Sequence, residues 1–264
     1  MLKSPTTRGV NFALFLRTDH PPFDDVEVRR AVMIGTNREA IHEAVIIEGE
    51  TYAWPIAPGI SGYVPLEDLP PETRMLFDYN PELARQMLAD AGYPDGFDIE
   101  MTTELEPAMM GISEILAGMW LEDMGIKIEI KAYEVVAVEE IRAERRYLHS
   151  FMGDGMPLTG IDSIASLFST GGPRNFSNYS NEYFDEQMGK AFATFDEAER
   201  TAILEELFVM TLDAAPTIPF SMSQHAAQWW PWVKNYYGEI SDGGFYPPAD
   251  LLWIDQDLKA EMGY

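Results

Sequence analysis

The spacing of apolar residues changes along the chain and marks its elements. Residues 10–17, VNFALFLR, alternate enough to predict a strand, with Phe12, Leu14 and Leu16 on one face. From residue 21 onwards the apolar residues recur at helical spacing instead. The pattern therefore predicts a strand that is followed directly by helices.

The first of these helices has a clear start and stop. Asp24 is expected to cap its N-terminus, with Glu27 in the answering position three residues later. Val28 and Val32 lie four residues apart and so share a helix face. Gly35 interrupts the run and is predicted to end the helix.

A second helix follows at once. Either Thr36 or Asn37 is expected to cap it, because both residue types accept hydrogen bonds from the first free backbone N–H groups. Ile41 and Val45 form its apolar face, and Gly49 is predicted to end it. Two short, well-capped helices are thus predicted in quick succession.

A long proline-rich segment, residues 50–80, has no sustained period and is predicted to be irregular. Its aromatic residues Tyr52, Trp54 and Tyr63 are expected to pack it against the rest of the chain. A clear helix then begins, capped by Asn80 with proline at its first position.

A strand, a helix and a strand come next, at residues 97–104, 107–124 and 126–133. Gly125 is expected to end the helix. This order and spacing predict a βαβ unit, and hence two parallel strands joined by a right-handed crossover. The fold class expected is therefore α/β.

Helices and strands are also predicted in the remaining chain. Further elements are predicted as a helix at 135–146, a strand at 147–152, helices at 161–168, 182–192 and 196–214, a strand at 217–222 and a last short helix near 255–262. The strand at 147–152 leads into Gly153, Asp154 and Gly155.

Charge and composition exclude several classes of function. The 44 acidic and 18 basic residues give a net charge of −26, which repels phosphate backbones and argues against nucleic-acid binding. The chain has no cysteine, so disulfides and cysteine-ligated zinc are excluded, and its four histidines show no tight metal spacing. We expect no metal and no cofactor. The helical arginines Arg29, Arg30 and Arg38 are expected on a solvated face.

Several stretches of the sequence resemble the family 5 extracellular solute-binding proteins, which include the dipeptide-, oligopeptide- and nickel-binding receptors of ABC importers. The resemblance lies in Pro-Pro-Phe-Asp-Asp-Val at 21–26, the segments 28–31 and 37–41, the segment 78–97 and Asn-Phe-Ser-Asn-Tyr at 175–179. It implies the C-terminal lobe of a type II periplasmic-binding-protein fold, with a mixed sheet flanked by helices. It also implies a non-enzymatic receptor in the periplasm or outside the cell, which works with a membrane permease.

The position of the first stretch suggests how the chain is organised. In the resembled family it follows a whole N-terminal lobe, whereas here it begins at residue 21, and residues 1–10 carry no signal-peptide pattern. We therefore expect the C-terminal portion of a larger receptor, with residues 1–222 as the ligand-binding lobe. Residues 223–264 are expected to form an aromatic-rich segment that packs on this lobe or returns to a missing N-terminal lobe. An isolated lobe should bind its ligand poorly.

Gly153, Asp154 and Gly155 are the main candidates for ligand binding. Ligands bind at strand ends in α/β sheets, and glycines allow close approach of the backbone. The resemblance implies that Asp154 pairs with the α-ammonium group of a peptide. Met156 and Pro157 follow where the family often has Asp-Pro, which leaves the type of ligand open. The alternative is an aspartate that caps its own loop.

Aromatic and amide residues provide further candidates. The resemblance places Asn175, Phe176 and Tyr179 at the border of the cleft, although a packed loop is the alternative. Trp229 and Trp230 are candidates for stacking on a ligand, or else pack on the sheet or on a partner lobe.

Three other functions remain open from the sequence. An acidic hydrolase would use two carboxylates across a cleft. A receptor of the same family would take oligosaccharides instead of peptides. An interaction module would dock a partner through its aromatic tail.

Overall fold

The computed structural model describes residues 2–6, 11–45, 49–50, 52, 54–56, 58–155, 160–223, 225–237 and 250–264. The chain divides into two compact units. The larger is Val10–Met222, and the smaller combines Met1–Gly9 with Ser223–Tyr264. The first nine residues thus group with the C-terminal segment, whereas the sequence placed them in the lobe.

The elements follow the order strand, helices, βαβ unit, helices, strands. The strands are β1 (Leu2–Thr6), β2 (Asn11–Leu16), β3 (Gly49–Glu50), β4 (Asp98–Glu104), β5 (Lys127–Tyr133), β6 (Ser150–Gly155), β7 (Thr217–Ser223), β8 (His225–Trp229), β9 (Val233–Lys234) and β10 (Trp253–Ile254). The helices are α1 (Val26–Ile34), α2 (Arg38–Val45), α3 (Pro71–Arg74), α4 (Pro81–Asp90), α5 (Pro107–Met124), α6 (Val135–Ala143), α7 (Ile161–Phe168), α8 (Glu182–Ala193), α9 (Glu197–Ala214) and α10 (Gln256–Glu261).

The larger unit is built on a six-stranded sheet in the order β3-β7-β2-β6-β4-β5. Strand β2 pairs antiparallel with β6 and β7, and β4 pairs parallel with β5 and β6. The predicted α/β class with a mixed sheet is confirmed. The βαβ unit is also confirmed, because β4, α5 and β5 lie where the sequence predicted and the two strands are parallel.

The central strand β2 is buried on both faces. Leu14 and Leu16 belong to a core that is completed by α1, α2, α4 and α5, whereas Ala13 and Phe15 belong to a second core that is completed by α7, α8 and α9. Helices therefore flank the sheet on both sides. The predicted strand is confirmed, and its second face, with Ala13 and Phe15, is apolar as well.

The helix caps agree with the sequence to within one residue. The cap of α1 is Asp25, which accepts a hydrogen bond from the Glu27 backbone N–H at 2.8 Å, so the prediction of Asp24 was wrong by one position. Asn37 caps α2 by accepting from the Ala40 N–H at 3.0 Å. Gly49 lies in β3 and does not end α2, whose last helical residue is Val45.

The expectation of a solvated arginine face was wrong for two of the three residues. Arg29 and Arg38 are only 6% and 5% exposed. Arg29 donates hydrogen bonds to the backbone carbonyls of Phe23 and Ala214, and Arg38 donates to the carbonyl of Leu76. Their long side chains reach carbonyls at the ends of other segments, which need donors when they are buried.

The junction of the βαβ unit requires glycine. Gly125 has a φ of +71° and ends α5, as predicted. A Cβ on Gly96 would lie 2.3 Å from the carbonyl oxygen of Gly125, closer than any side chain allows. The two glycines therefore let the start of β4 and the start of β5 approach each other.

Strand β6 begins later than predicted. It runs over Ser150–Gly155, whereas the sequence placed a strand at 147–152 and a loop after it. Tyr147 lies before the strand and does not pair in the sheet. Its hydroxyl donates a hydrogen bond to the Phe176 carbonyl, and its own carbonyl accepts one from Arg17 at 2.7 Å. Gly153, Asp154 and Gly155 are consequently the last three residues of the strand.

The segment before α4 is mostly irregular, as predicted, although it contains the short α3. Trp54 is 3% exposed and packs edge-on against Phe15 and Phe168. Tyr52 and Tyr63 contact each other and the ring of Phe208. The expectation that aromatic residues hold this segment down is confirmed.

The smaller unit pairs β1 with β8 and β9 with β10, both antiparallel. The rings of Trp230 and Trp232 stack at 4.6 Å with an interplanar angle of 7°, and Tyr264 contacts both. The ring of Trp229 packs against Tyr236. The aromatic-rich segment thus has its own cluster of rings.

Candidate functional site

The parallel strands of the larger unit end at one edge of the sheet. Glu104 at the end of β4 lies beside Tyr133 at the end of β5. Because β6 is parallel to β4, Asp154 and Gly155 reach the same edge. In open α/β sheets, ligands bind in the crevice outside the carboxyl ends of the strands. This edge is therefore the candidate site, and we refer to it as the strand-end site.

The structure gives Gly153 a packing role. It is buried and pairs with Ala13 of β2, and a Cβ at this position would lie 2.4 Å from the ring of Phe151. Asp154 pairs with Phe12, and Gly155 with Asn11. The sequence placed the three residues in a loop, whereas they belong to a central strand. Their role in ligand binding remains a prediction.

Exposed apolar residues border the same edge, and they were not predicted as site residues from the sequence. Leu105 follows β4 and is 55% exposed, and Tyr133, Val135 and Val136 are also exposed. The backbone N–H of Leu105 donates to the carbonyl of Tyr133 at 2.7 Å, which joins the two segments. The sequence signal for such residues is an apolar residue placed between the end of a strand and a helix cap. A residue there has no core position available to it, so exposure is expected.

The carboxylate of Glu106 is used by the fold. It caps α5 by accepting a hydrogen bond from the Met109 backbone N–H at 3.0 Å. The neighbouring acidic residue in sequence, Glu104, is the last residue of β4. One of these two neighbouring carboxylates therefore serves as a helix cap.

Four of the five residues in the 175–179 loop are buried, Asn178 being the exception. Asn175 is 1% exposed; its Nδ2 donates to the carbonyls of Ser169 and Tyr179, and its Oδ1 accepts from the Tyr179 N–H. Phe176 is buried edge-on against Phe15, with ring centroids 5.2 Å apart. These contacts hold the loop together. A direct ligand contact by Asn175, Phe176 or Tyr179 remains a prediction.

The two candidate tryptophans belong to the smaller unit and not to the sheet. Trp229 ends β8 and is half-buried, and Trp230 is 39% exposed. Each ring already contacts another aromatic ring of that unit. Their ligand-binding role is likewise still a prediction.

A strong ion pair lies at the opposite edge of the sheet. Arg17, directly after β2, donates two hydrogen bonds to the Asp19 carboxylate at 2.7 and 2.8 Å. The hydrogen bond from Arg17 lowers the pKa of Asp19 to about 2, assisted by one from Asn178. Arg17 also bonds the carbonyls of Arg145 and Tyr147. This pair therefore ties loops together at the edge away from the strand-end site.

Neither a metal-binding cluster nor a membrane-spanning helix is found among the described residues. Within the described ranges, no group of three or more His, Cys, Asp or Glu side chains is arranged to hold a metal ion. None of the described helices combines the length and apolar character that crossing a membrane requires.

Comparison with protein families gives a match over most of the larger unit. The model of the bacterial extracellular solute-binding proteins, family 5 (middle region), matches residues 3–178. Heme-binding protein A of Haemophilus influenzae is 28% identical over 87% of this chain and 42% of its own length. The dipeptide-binding protein of Escherichia coli is 27% identical over 84% of this chain and 41% of its own length.

Solved structures share the fold. The periplasmic binding protein DppA from Helicobacter pylori, in complex with the peptide STSA, superimposes with a TM-score of 0.78 at 20% identity and covers 96% of this chain. HbpA2 from Haemophilus parasuis gives a TM-score of 0.76 at 24% identity over 85% of this chain. The chain spans about half the length of these relatives, 49% and 45% respectively.

Proposed function

Because this chain belongs to the family 5 bacterial extracellular solute-binding proteins, we propose that it is the C-terminal lobe of the substrate-binding component of an ABC importer. The lobe captures a peptide or a similar small solute together with an N-terminal lobe and delivers it to a membrane permease. The protein works in the periplasm or outside the cell. It binds and releases its solute, and no covalent bond is made or broken.

The observation that carries this proposal is the common edge of β4, β5 and β6. Parallel strands place their carboxyl ends together, and the chain there contains Asp154 near the end of β6 and exposed apolar residues at the ends of β4 and β5. A ligand that is cationic at one end and partly apolar along its length fits this combination. Peptides with a free N-terminus have both properties.

The names of the relatives favour the same class of ligand. They include binding proteins for dipeptides and for glutathione, as well as one for heme. Dipeptides and glutathione share a free ammonium group, which the negative charge of Asp154 would pair with. In a closed cleft with little water, such a pair gains strength because the local dielectric is low. Hinge closure of two lobes provides that environment.

The apolar residues of the edge extend the proposal beyond Asp154. Leu105, Tyr133, Val135 and Val136 would contact the ligand next to its ammonium group and exclude water from it. The aromatic-rich segment of the smaller unit would pack on the N-terminal lobe. Trp229 and Trp230 would then belong to the surface that this lobe covers.

The test is a titration of the ¹⁵N-labelled chain with the dipeptide Ala-Phe, followed by amide chemical shifts, which detect weak binding. We expect the shifted amides to cluster at Leu105, Tyr133–Val136 and Gly153–Gly155. N-acetyl-Ala-Phe should bind about tenfold more weakly, because the lost charge pair in a partly desolvated site contributes about 1–2 kcal/mol.

Variants at the two edges of the sheet provide the control. D154N should weaken binding of Ala-Phe as acetylation does and leave the acetylated peptide unaffected. D98N changes the same type of residue at the start of β4, on the opposite edge, and should have no effect. Shifts elsewhere, equal binding of both peptides, or binding of hemin alone would contradict the proposal. Hydrolysis of the peptide would favour the acidic hydrolase.

A further inference from the structure

A cavity lies at the end of the larger unit away from the strand-end site. It has a volume of about 410 Å³, within the size range of small-molecule sites, and its walls include Arg38, Glu39, Tyr52, Leu66, Phe77 and Asp78. It opens beside the start of α2, and we refer to it as the α2 cavity. None of these residues belongs to the strand-end site.

The α2 cavity is separated from the strand-end site by the length of a helix. Tyr79, another wall residue, donates a hydrogen bond from its hydroxyl to Asp123 near the C-terminal end of α5, at 2.6 Å. The N-terminal end of α5 follows β4 directly at the strand-end site. The 18 residues of α5 span about 27 Å at 1.5 Å per residue. The two sites therefore lie at opposite ends of α5.

Arg38 supplies a positive charge that the protein does not fully satisfy. It is 5% exposed, and its Nη2 donates to the Leu76 carbonyl while its guanidinium lies 4.6 Å from the centre of the Phe77 ring. Its Nη1 is buried without a hydrogen-bond partner among the described residues. Burial lowers the pKa of Arg38 to about 10, so the group stays charged at neutral pH. Such a donor requires an acceptor.

Two carboxylates lie at the same cavity. Glu39 and Asp78 are both exposed, and both are near enough to Arg38 to favour its charged form. Within the described part of the chain, neither carboxylate makes a hydrogen bond or an ion pair. They are therefore available to a cationic group, and their negative charge at the walls disfavours a plain anion.

The remaining walls are apolar and aromatic. The rings of Tyr52 and Phe77 meet edge to face with centroids 4.9 Å apart, and Leu66 lies beside them. The hydroxyl of Tyr52 already donates a hydrogen bond to the Val64 carbonyl at 2.7 Å, so Tyr52 offers the cavity its aromatic ring. These walls suit an apolar side chain.

We propose that the α2 cavity binds a free α-amino acid with an apolar side chain. Its carboxylate would accept from the guanidinium of Arg38, its ammonium group would lie against Asp78 and Glu39, and its side chain would contact Tyr52, Leu66 and Phe77. A zwitterion satisfies both signs of charge in the wall, which neither a simple cation nor a simple anion does. This site is distinct from the peptide site, and the two proposals stand or fall separately.

Three probes test the charge requirement: L-leucine, its methyl ester and N-acetyl-L-leucine. The ester lacks the negative charge and the acetyl compound lacks the positive charge. In titrations of the ¹⁵N-labelled chain, L-leucine should shift the amides of Arg38, Glu39 and Phe77–Tyr79, and both blocked compounds should bind at least about fivefold more weakly. Equal binding of either blocked compound, shifts only at the strand-end site, or no shift with L-leucine would overturn the proposal.

Substitutions in the cavity wall separate binding from folding. Because Asp78 and Glu39 are exposed, D78N should weaken L-leucine binding about threefold and E39Q/D78N about tenfold. D68N removes an exposed carboxylate from the same irregular segment and should leave binding unchanged. R38K keeps the charge and should retain more binding than R38M if both fold. Unchanged binding in E39Q/D78N would overturn the assignment even if the Arg38 variants do not fold.

Discussion

Replacing Arg29 by methionine should destabilise the larger unit substantially. The Arg29 side chain in α1 donates to the Ala214 carbonyl at the end of α9, at 2.9 Å, and to the Phe23 carbonyl before α1, at 2.8 Å. A third, longer bond reaches the Asp24 carbonyl at 3.3 Å. Methionine preserves the apolar stem and removes every one of these donors, which isolates the contribution of the guanidinium.

The magnitude follows from two opposing terms. A hydrogen bond from a charged donor contributes about 1.5–3 kcal/mol, so the two short bonds of Arg29 together contribute about 3–6 kcal/mol. Burial of the charge opposes this and lowers the pKa of Arg29. We expect R29M to reduce the free energy of unfolding by about 2–4 kcal/mol, which lowers the Tm by roughly 10 °C for a domain of this size.

The measurement is urea unfolding followed by tryptophan fluorescence and circular dichroism. The neighbouring substitution R30M is the control, because Arg30 lies on the same helix and bonds the same end of α9 through the exposed Asp213. An ion pair of this kind contributes about 1 kcal/mol or less. If R29M costs no more than R30M, the guanidinium of Arg29 does not stabilise the junction of α1 and α9.

Two further perturbations follow from buried polar contacts. T36V should reduce the free energy of unfolding by about 1–3 kcal/mol, because the Trp120 Nε1–H, which donates to the Thr36 hydroxyl at 2.9 Å, becomes a buried donor without an acceptor; in urea titrations the conservative T36S should retain that bond. The second perturbation concerns His149. Its Nδ1 accepts a hydrogen bond from the Glu100 N–H at 3.0 Å, and burial lowers the pKa of His149 below its ordinary value of 6.5. The unfolded chain then binds the proton more tightly than the folded chain, so stability should fall as the pH drops through about 6.5. The difference between the Tm at about pH 7.5 and the Tm at about pH 5.5 should therefore be smaller for H149N than for the wild type. An equal difference in both would rule out His149 as the source.

The two proposed sites lie at opposite ends of α5. The strand-end site exists because three parallel strands finish together, whereas the α2 cavity lies near the other end of α5. Both combine carboxylates with apolar side chains, in keeping with a net charge of −26. A receptor with both sites would bind a peptide at one and a free amino acid at the other. Binding of one ligand at saturating concentration of the other distinguishes them.

Local chemistry in the sequence was enough to place most elements. Helix caps depend on one side chain and the N–H two or three residues later, so the caps Asn80, Asp196 and Asp255 are visible without any tertiary contact. The βαβ unit follows from periodicity and length alone. The stretches shared with the family could also be recognised from the sequence, because they combine helix caps, glycines and an apolar spacing that one backbone conformation requires.

The fate of long polar side chains was decided by tertiary structure. Nothing local distinguishes Arg29 and Arg38, which are buried, from Arg30, which is less completely buried and pairs with Asp213, because the deciding partners are carbonyls up to 185 residues away. The same applies to Asn175, whose sequence context suggested a ligand contact and whose amide is occupied within its own loop.

Sequence by itself therefore determined the fold class, most elements of the larger unit and the family, since each depends on patterns within one or two turns of chain. The short strands β1, β3, β8, β9 and β10 were not predicted. Tertiary structure decided where β6 begins, which edge of the sheet collects the strand ends and which exposed apolar residues border it. It also brought Arg38 together with Phe77 and Asp78, which are distant in sequence. Those features depend on register and on contacts across the fold, and a one-dimensional pattern contains neither.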